Sequence, residues 1–157
     1  DLAIKGCKEI LTKQDEVFDT IAVAVGTGGT FLGLHDSCTP NQHLLGFKAV
    51  NDPKVDAFIE NNKNSSKAAI LIDEFILGGY GKVPDALVEF INNFKQTHQI
   101  LLDPTYTGKM LFGIFTLIKN KAWCWGKNVL VIHTGGTQAI EGFNLRQKLK
   151  NRPCIRP

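Results

Sequence analysis

The stretch Thr20-Ile21-Ala22-Val23-Ala24-Val25-Gly26-Thr27-Gly28-Gly29-Thr30 decides how this chain folds. The apolar run through residue 25 predicts a buried strand over 20–25, and the residues after Gly28 predict a helix over 28–37. Between them, glycines allow backbone N–H groups to come close to an anion. The start of the helix adds the positive end of its dipole, so strand, glycine turn and helix together form a phosphate-holding device. Thr27 and Thr30 can add hydroxyl donors to the same oxygens. The same residues also suit a βα turn that uses glycine only for tightness, and both readings stand at this level.

Two common phosphate motifs are excluded by spacing. A dinucleotide fingerprint beginning at Gly26 needs glycine at position 31, where the chain has Phe31. Gly108-Lys109 is followed by Met110, and Asp103 stands where a nucleotide-triphosphatase loop has its first glycine.

Length and composition narrow the class. A chain of 157 residues has single-domain length and can bury a real core, so residues 1–157 are expected to form one α/β domain. A hydrophobic content of 43% and a charged content of 21% are ordinary for a water-soluble fold. No apolar run approaches the roughly 18 residues that span a bilayer, so no membrane partner is expected. The net charge of +3 is too small to suggest nucleic acid. Cys7, Cys38, Cys124 and Cys154 form no Cys-x-x-Cys pair. They read as free thiols in a reducing, cytoplasmic compartment. His35, His43, His98 and His133 have no metal-like spacing, and no metal site is expected. The chain starts at Asp1 and enters a helical pattern at once (Ala3, Cys7, Ile10, Leu11), which reads as a piece of a longer protein.

Strand and helix patterns alternate along the chain. Strands are expected over 43–50, 68–72 and 129–132, and an amphipathic helix over 53–63 with Pro53 near its start. Pro84 opens a helix in which Leu87, Phe90, Ile91 and Phe94 repeat at helical spacing. Residues 108–120 are apolar nearly all round, predicting a helix buried on most sides, and 137–149 form the last helix. Residues 61–67 read as a polar surface loop. Continuous apolar strands between helices imply a parallel sheet covered on both faces.

Ligands of such sheets bind outside the carboxyl ends of the strands. Gly26 to Thr30, Gly78-Gly79-Tyr80-Gly81, Asp103 to Gly108, and His133-Thr134-Gly135-Gly136 all fall on that rim. A concentration of Gly, Thr and Tyr there favours a site. Asp73 and Glu74, adjacent at a strand end, point apart and read as loop polarity.

Three motifs, in order, carry a resemblance: Val25-Gly26-Thr27-Gly28-Gly29-Thr30, Leu102-Asp103-Pro104-Thr105-Tyr106-Thr107-Gly108-Lys109 and Ile132-His133-Thr134-Gly135-Gly136. The chain resembles the pyridoxal-phosphate enzymes of fold type II, which share the large-domain architecture of the tryptophan synthase β-like fold. Within them it is similar to the 1-aminocyclopropane-1-carboxylate deaminase and D-cysteine desulfhydrase family. The similarity runs over nearly the whole chain but covers only the C-terminal half of those enzymes.

The resemblance implies a cofactor, pyridoxal 5'-phosphate, with its phosphate held by Gly26, Thr27, Gly28, Gly29 and Thr30. It implies Tyr106 and Tyr80 as active-site tyrosines beside a small amino-acid substrate. It places Thr107 and Thr134, with Gly135, near the pyridine ring of the cofactor. Ring-opening deaminases carry glutamate where this chain has Thr107, so the resemblance favours β-elimination from a D-cysteine-type substrate, giving pyruvate, sulfide and ammonia. Ring opening of 1-aminocyclopropane-1-carboxylate is the alternative. The cofactor-binding lysine would lie upstream of Asp1, Lys109 would not take its place, and the complete protein would be a homodimer. This piece would be inactive by itself, which leaves a second class open: a truncated module that binds a phosphorylated ligand without catalysis. A phenol at Tyr80 or Tyr106 would carry protons provided cationic surroundings lowered its pKa.

Overall fold

The structure is a computed structural model and describes residues 2–64 and 67–157. Ser65 and Ser66 of the expected polar loop lie outside the described residues. Asn61 and Asn62 instead belong to the preceding helix.

Four parallel strands form one sheet: β1 (Thr20–Val25), β2 (His43–Lys48), β3 (Ala69–Ile72) and β4 (Val129–Ile132), in the order β3-β2-β1-β4. Thr20 pairs with His43 on one side and Val129 on the other, which fixes the register at the centre of the sheet. The expected strand 43–50 is shorter than predicted. Its pairing with β3 runs only from Leu44 to Phe47, and its pairing with β1 ends at Lys48.

Among the described residues, six α-helices accompany the strands: α1 (Leu2–Cys7), α2 (Gly29–Ser37), α3 (Pro53–Asn62), α4 (Asp85–His98), α5 (Thr107–Lys119) and α6 (Ala139–Leu149). Residues alternate between the two sheet faces. Ala22, Ala24, Leu45 and Phe47 pack with buried residues of α4, α5 and α6. Ile21, Val23, Val25 and Leu44 pack with Phe31, Leu32 and Leu34 of α2 and Ile59 of α3. The parallel sheet is therefore covered on both faces, as its unbroken apolar strands require.

Local sequence explains the helix ends near the site. Asp52 accepts a hydrogen bond from Lys54 N at 2.9 Å and Pro53 occupies the first turn, so α3 starts sharply. Helix α5 inserts Met110, Leu111, Ile114 and Leu117 into the core. Each contributes about 1.5–3 kcal/mol on full burial. As its nearly all-apolar sequence predicts, the helix is buried on most sides: eight of its thirteen residues are buried, while Phe115 and Ile118 are exposed.

The chain runs β1, β2, β3 outward in one direction, then returns to place β4 on the opposite side of β1. The strand order thus reverses between β1 and β4. A crevice outside the carboxyl ends at such a switch point is where this architecture binds ligands. No helix among the described residues is long and apolar enough to cross a membrane.

Candidate active site

A cavity of about 290 Å³ opens at the switch point. Its floor is Ala24 to Phe31, the end of β1 with the first turn of α2, and its opposite wall is Thr134, Gly135, Gly136 and Gln138 after β4, with Tyr106 beside them. Gly28 is the N-cap of α2 in the left-handed region at φ 90°, and no side chain caps that helix start. The first-turn N–H groups are therefore left for an outside acceptor.

Two glycines stand hard against their neighbours. A Cβ on Gly26 would stand 3.0 Å from a ring carbon of Tyr106, and one on Gly28 would stand 2.9 Å from Ile59 Cγ1. A Cβ on Gly29 would meet nothing within 4 Å. The lining holds only glycines, hydroxyls, an amide and apolar groups, with neither a carboxylate nor a cationic side chain. Such a donor set suits an oxyanion held by backbone dipoles.

Tyr106 is placed by a knot centred on Asp103. The buried Asp103 carboxylate accepts from the backbone N–H of Thr105 at 2.7 Å, Tyr106 at 2.8 Å and Thr107 at 2.7 Å. The Thr107 hydroxyl donates to the same carboxylate at 2.7 Å and accepts from Asp103 N at 3.0 Å. Asp103 thus collects the free N–H groups at the start of α5, the task of a helix cap. Thr107 is completely buried and does not line the cavity, so its hydroxyl is committed to Asp103 and not offered to a ligand. Of the two threonines expected near the cofactor ring, Thr134 lines the cavity and Thr107 does not.

Tyr80 approaches from the loop after β3. Its ring centroid is 6.2 Å from that of Tyr106, edge to face at 64°. Burial of Tyr106, the adjacent Tyr80 phenol and the nearby Asp103 push the Tyr106 phenol up to about 12. The direction is opposite to the lowered value expected from cationic surroundings. No cation lies on the cavity lining, and the groups around the phenol penalise its charged form. Tyr106 is therefore a protonated donor at neutral pH.

Two further residues of the 102–109 motif, Asp103 and Lys109, shape this site. Asp103 has a readable signal, an Asp-Pro turn just ahead of a helix. Lys109 has none, because its partners are the carbonyls of Ile76 at 2.7 Å and Gly79 at 2.8 Å, thirty and more residues away. His133, the residue directly after β4, orients the rim. Its Nδ1 accepts from Gly135 N at 3.1 Å, which leaves Nε2–H to donate to Leu101 O at 3.0 Å. Among the described residues no group of three or more His, Cys, Asp or Glu could hold a metal.

An α/β domain with an anion cradle at its switch point defines a class, and comparison with known proteins narrows it. No family model matches the chain. A putative 1-aminocyclopropane-1-carboxylate deaminase from Pyrococcus horikoshii is 30% identical over 145 residues, covering 85% of this chain and 44% of the relative. A D-cysteine desulfhydrase from Salmonella schwarzengrund is 28% identical over 156 residues, covering 90% of this chain and 48% of the relative. The solved structure of an ACC deaminase homologue superposes with a TM-score of 0.69 at 26% identity, covering 90% of this chain and 48% of that one. The processed form of threonine deaminase isoform 2 from Solanum lycopersicum shares the fold, with a TM-score of 0.56 at 15% identity over 93% of this chain and 47% of that one. Over nearly its whole length the chain is similar to 1-aminocyclopropane-1-carboxylate deaminases and D-cysteine desulfhydrases, and it spans about half the length of the relatives it matches.

Proposed function

We propose that this chain supplies the phosphate cradle and the tyrosine wall of a pyridoxal-phosphate enzyme acting on a small amino acid. The observation that carries the reading is the uncapped start of α2, with Gly28 at φ 90°, facing Tyr106 and Thr134 across one cavity. The cradle fits the group: its donors are N–H and O–H only, which suits a phosphate monoester. Thr27 to Thr30 would hold the phosphate, and the Thr134 hydroxyl and Gly135 would face the ring. When bound, the cofactor supplies an electron sink for a carbanion beside the substrate's amino group.

The chain's own residues would position the substrate and manage a proton. Tyr106, kept protonated by burial and by Tyr80, would act as a hydrogen-bond donor or general acid at the substrate. Asp103 would hold Tyr106 at its station through the backbone. The rim loop 134–136 would be kept in place by the His133 bridge between Gly135 and Leu101.

Between the two reactions named by its relatives, we favour β-elimination from a D-cysteine-type substrate. No carboxylate lines the cavity, so the ring nitrogen would meet a neutral hydroxyl from this chain. A carboxylate partner would strengthen the sink; without one, a substrate with a good β leaving group is preferred over an unactivated cyclopropane. The second reading, ring opening, rests on the name of the Pyrococcus horikoshii relative. The test is to assay the native-length protein side by side on D-cysteine and on 1-aminocyclopropane-1-carboxylate. Pyruvate from the first with little 2-oxobutanoate from the second is expected. Dominant 2-oxobutanoate would favour ring opening, and neither product, with phosphate-ligand binding retained, would favour a non-catalytic binding module.

A further inference from the structure

Lys109 is a buried cation with no part in the cradle. It is 2% exposed, and it lies one helical turn after Tyr106 at the start of α5. Burying an ammonium is unfavourable unless its charge is satisfied, and a methionine would fill the same space without that cost. The Lys109 ammonium donates to Ile76 O at 2.7 Å and Gly79 O at 2.8 Å. Those two carbonyls also close the turns of the loop, accepting from Gly79 N at 3.3 Å and Lys82 N at 3.1 Å. The loop needs an outside tie. Leu77, Gly78, Gly79 and Gly81 all have positive φ, at 55°, 88°, 119° and 69°. Such a run, three of its four residues glycine, has little conformational preference of its own. Tyr80 sits inside it, 65% exposed, with the Tyr106 ring as its described aromatic contact.

We infer that Lys109 is a positioning residue that fixes the 76–81 loop so that Tyr80 meets Tyr106. The first turn of α5 then sets both phenols, Tyr106 directly and Tyr80 through the Lys109 ammonium. The inference rests on the reading of this tyrosine pair as the substrate wall, but its structural half is measurable without that reading.

The experiment compares Lys109→Met, Tyr80→Phe and the double variant in the native-length protein. Hydrogen exchange of the 77–82 amides should rise at least about tenfold in Lys109→Met, while the amides of β1 stay protected. In the protein loaded with pyridoxal phosphate, kcat for the eliminated substrate should fall to the level of Tyr80→Phe, by on the order of 10²-fold, with KM little changed. The double variant should be no worse than either single one. Unchanged exchange in the loop, or losses that multiply in the double variant, would overturn the inference. A protein without activity would sink the functional reading alone, since the exchange result would still decide the role of Lys109. Should Lys109→Met fail to fold, Lys109→Gln, which keeps an N–H donor in the same space, should give a smaller rise confined to the loop. Global unfolding of both variants would assign Lys109 to the core and overturn the proposal.

Discussion

Tyr106 lies so close to Gly26 that a single added Cβ on the glycine would come within 3.0 Å of the phenol ring. The phosphate loop and the tyrosine wall therefore share one van der Waals surface, and neither can change shape without moving the other. Gly26→Ala should leave the fold intact and displace the ring by a few tenths of an ångström. Gly26→Val should push it further, lowering kcat by on the order of 10²-fold through misplacement. Steady-state kinetics of both variants check the order; equal activity in all three proteins would contradict it.

Gly28→Asp should abolish cofactor retention. The residue needs φ 90° and its Cβ would meet Ile59 at 2.9 Å, so any side chain is strained there. Left-handed backbone alone costs an L-residue about 1–2 kcal/mol. Aspartate adds a negative charge where an anion must sit. Gly28→Ala separates the two effects: it should bind pyridoxal phosphate more weakly than the native protein and more tightly than Gly28→Asp in equilibrium dialysis.

The tyrosine pair has a signature in pH. The Tyr106 phenol stands at about 12 against an ordinary 10.0, because burial and Tyr80 disfavour its charged form. A group whose folded pKa is raised contributes stability that is present below pH 10 and lost as pH climbs from about 10 through about 12. Tyrosinate absorbance should show one late-titrating phenol that disappears in Tyr106→Phe and shifts downward in Tyr80→Phe. A Tyr106 that titrates at or below 10 would contradict the described packing.

Asp103→Asn removes the charge that gathers three backbone N–H groups and the Thr107 hydroxyl. A loss of about 1.5–3 kcal/mol in thermal or denaturant unfolding is expected, the range of hydrogen bonds to a charged group. Thr107→Glu should destabilise the protein and leave reaction choice unaltered. It would set a second carboxylate against Asp103 at a position with no exposure. A stable Thr107→Glu variant with enhanced ring opening would show that Thr107 reaches the ligand after all.

Much of this arrangement was legible from the residues. The run Ile21 to Val25 has no polar break and reads as a strand buried on both faces, and the glycines after it read as a turn into a helix, which starts at Gly29 rather than at the expected 28. The rim loops followed because parallel strands put every βα turn on one side. The roles of Thr107 and Lys109 were not legible, for different physical reasons. Thr107 stands one residue after a site tyrosine, yet the geometry of a helix start turns its hydroxyl back onto Asp103. Lys109 satisfies its charge on carbonyls some thirty residues away, and no local pattern records a contact at that separation. The direction of the Tyr106 shift likewise depended on which groups surround the phenol, and only the folded chain brings Tyr80 and Asp103 to it.

The central claim is that the N–H groups of Thr27 to Thr30 hold the cofactor's phosphate at the switch point between β1 and β4. A crystal structure of the native-length protein grown with pyridoxal phosphate tests it most directly. Phosphate oxygens are expected within hydrogen-bond reach of those N–H groups, with the ring on the side of Thr134 and Tyr106. A cofactor bound with its phosphate elsewhere, the α2 start facing only solvent, would contradict it.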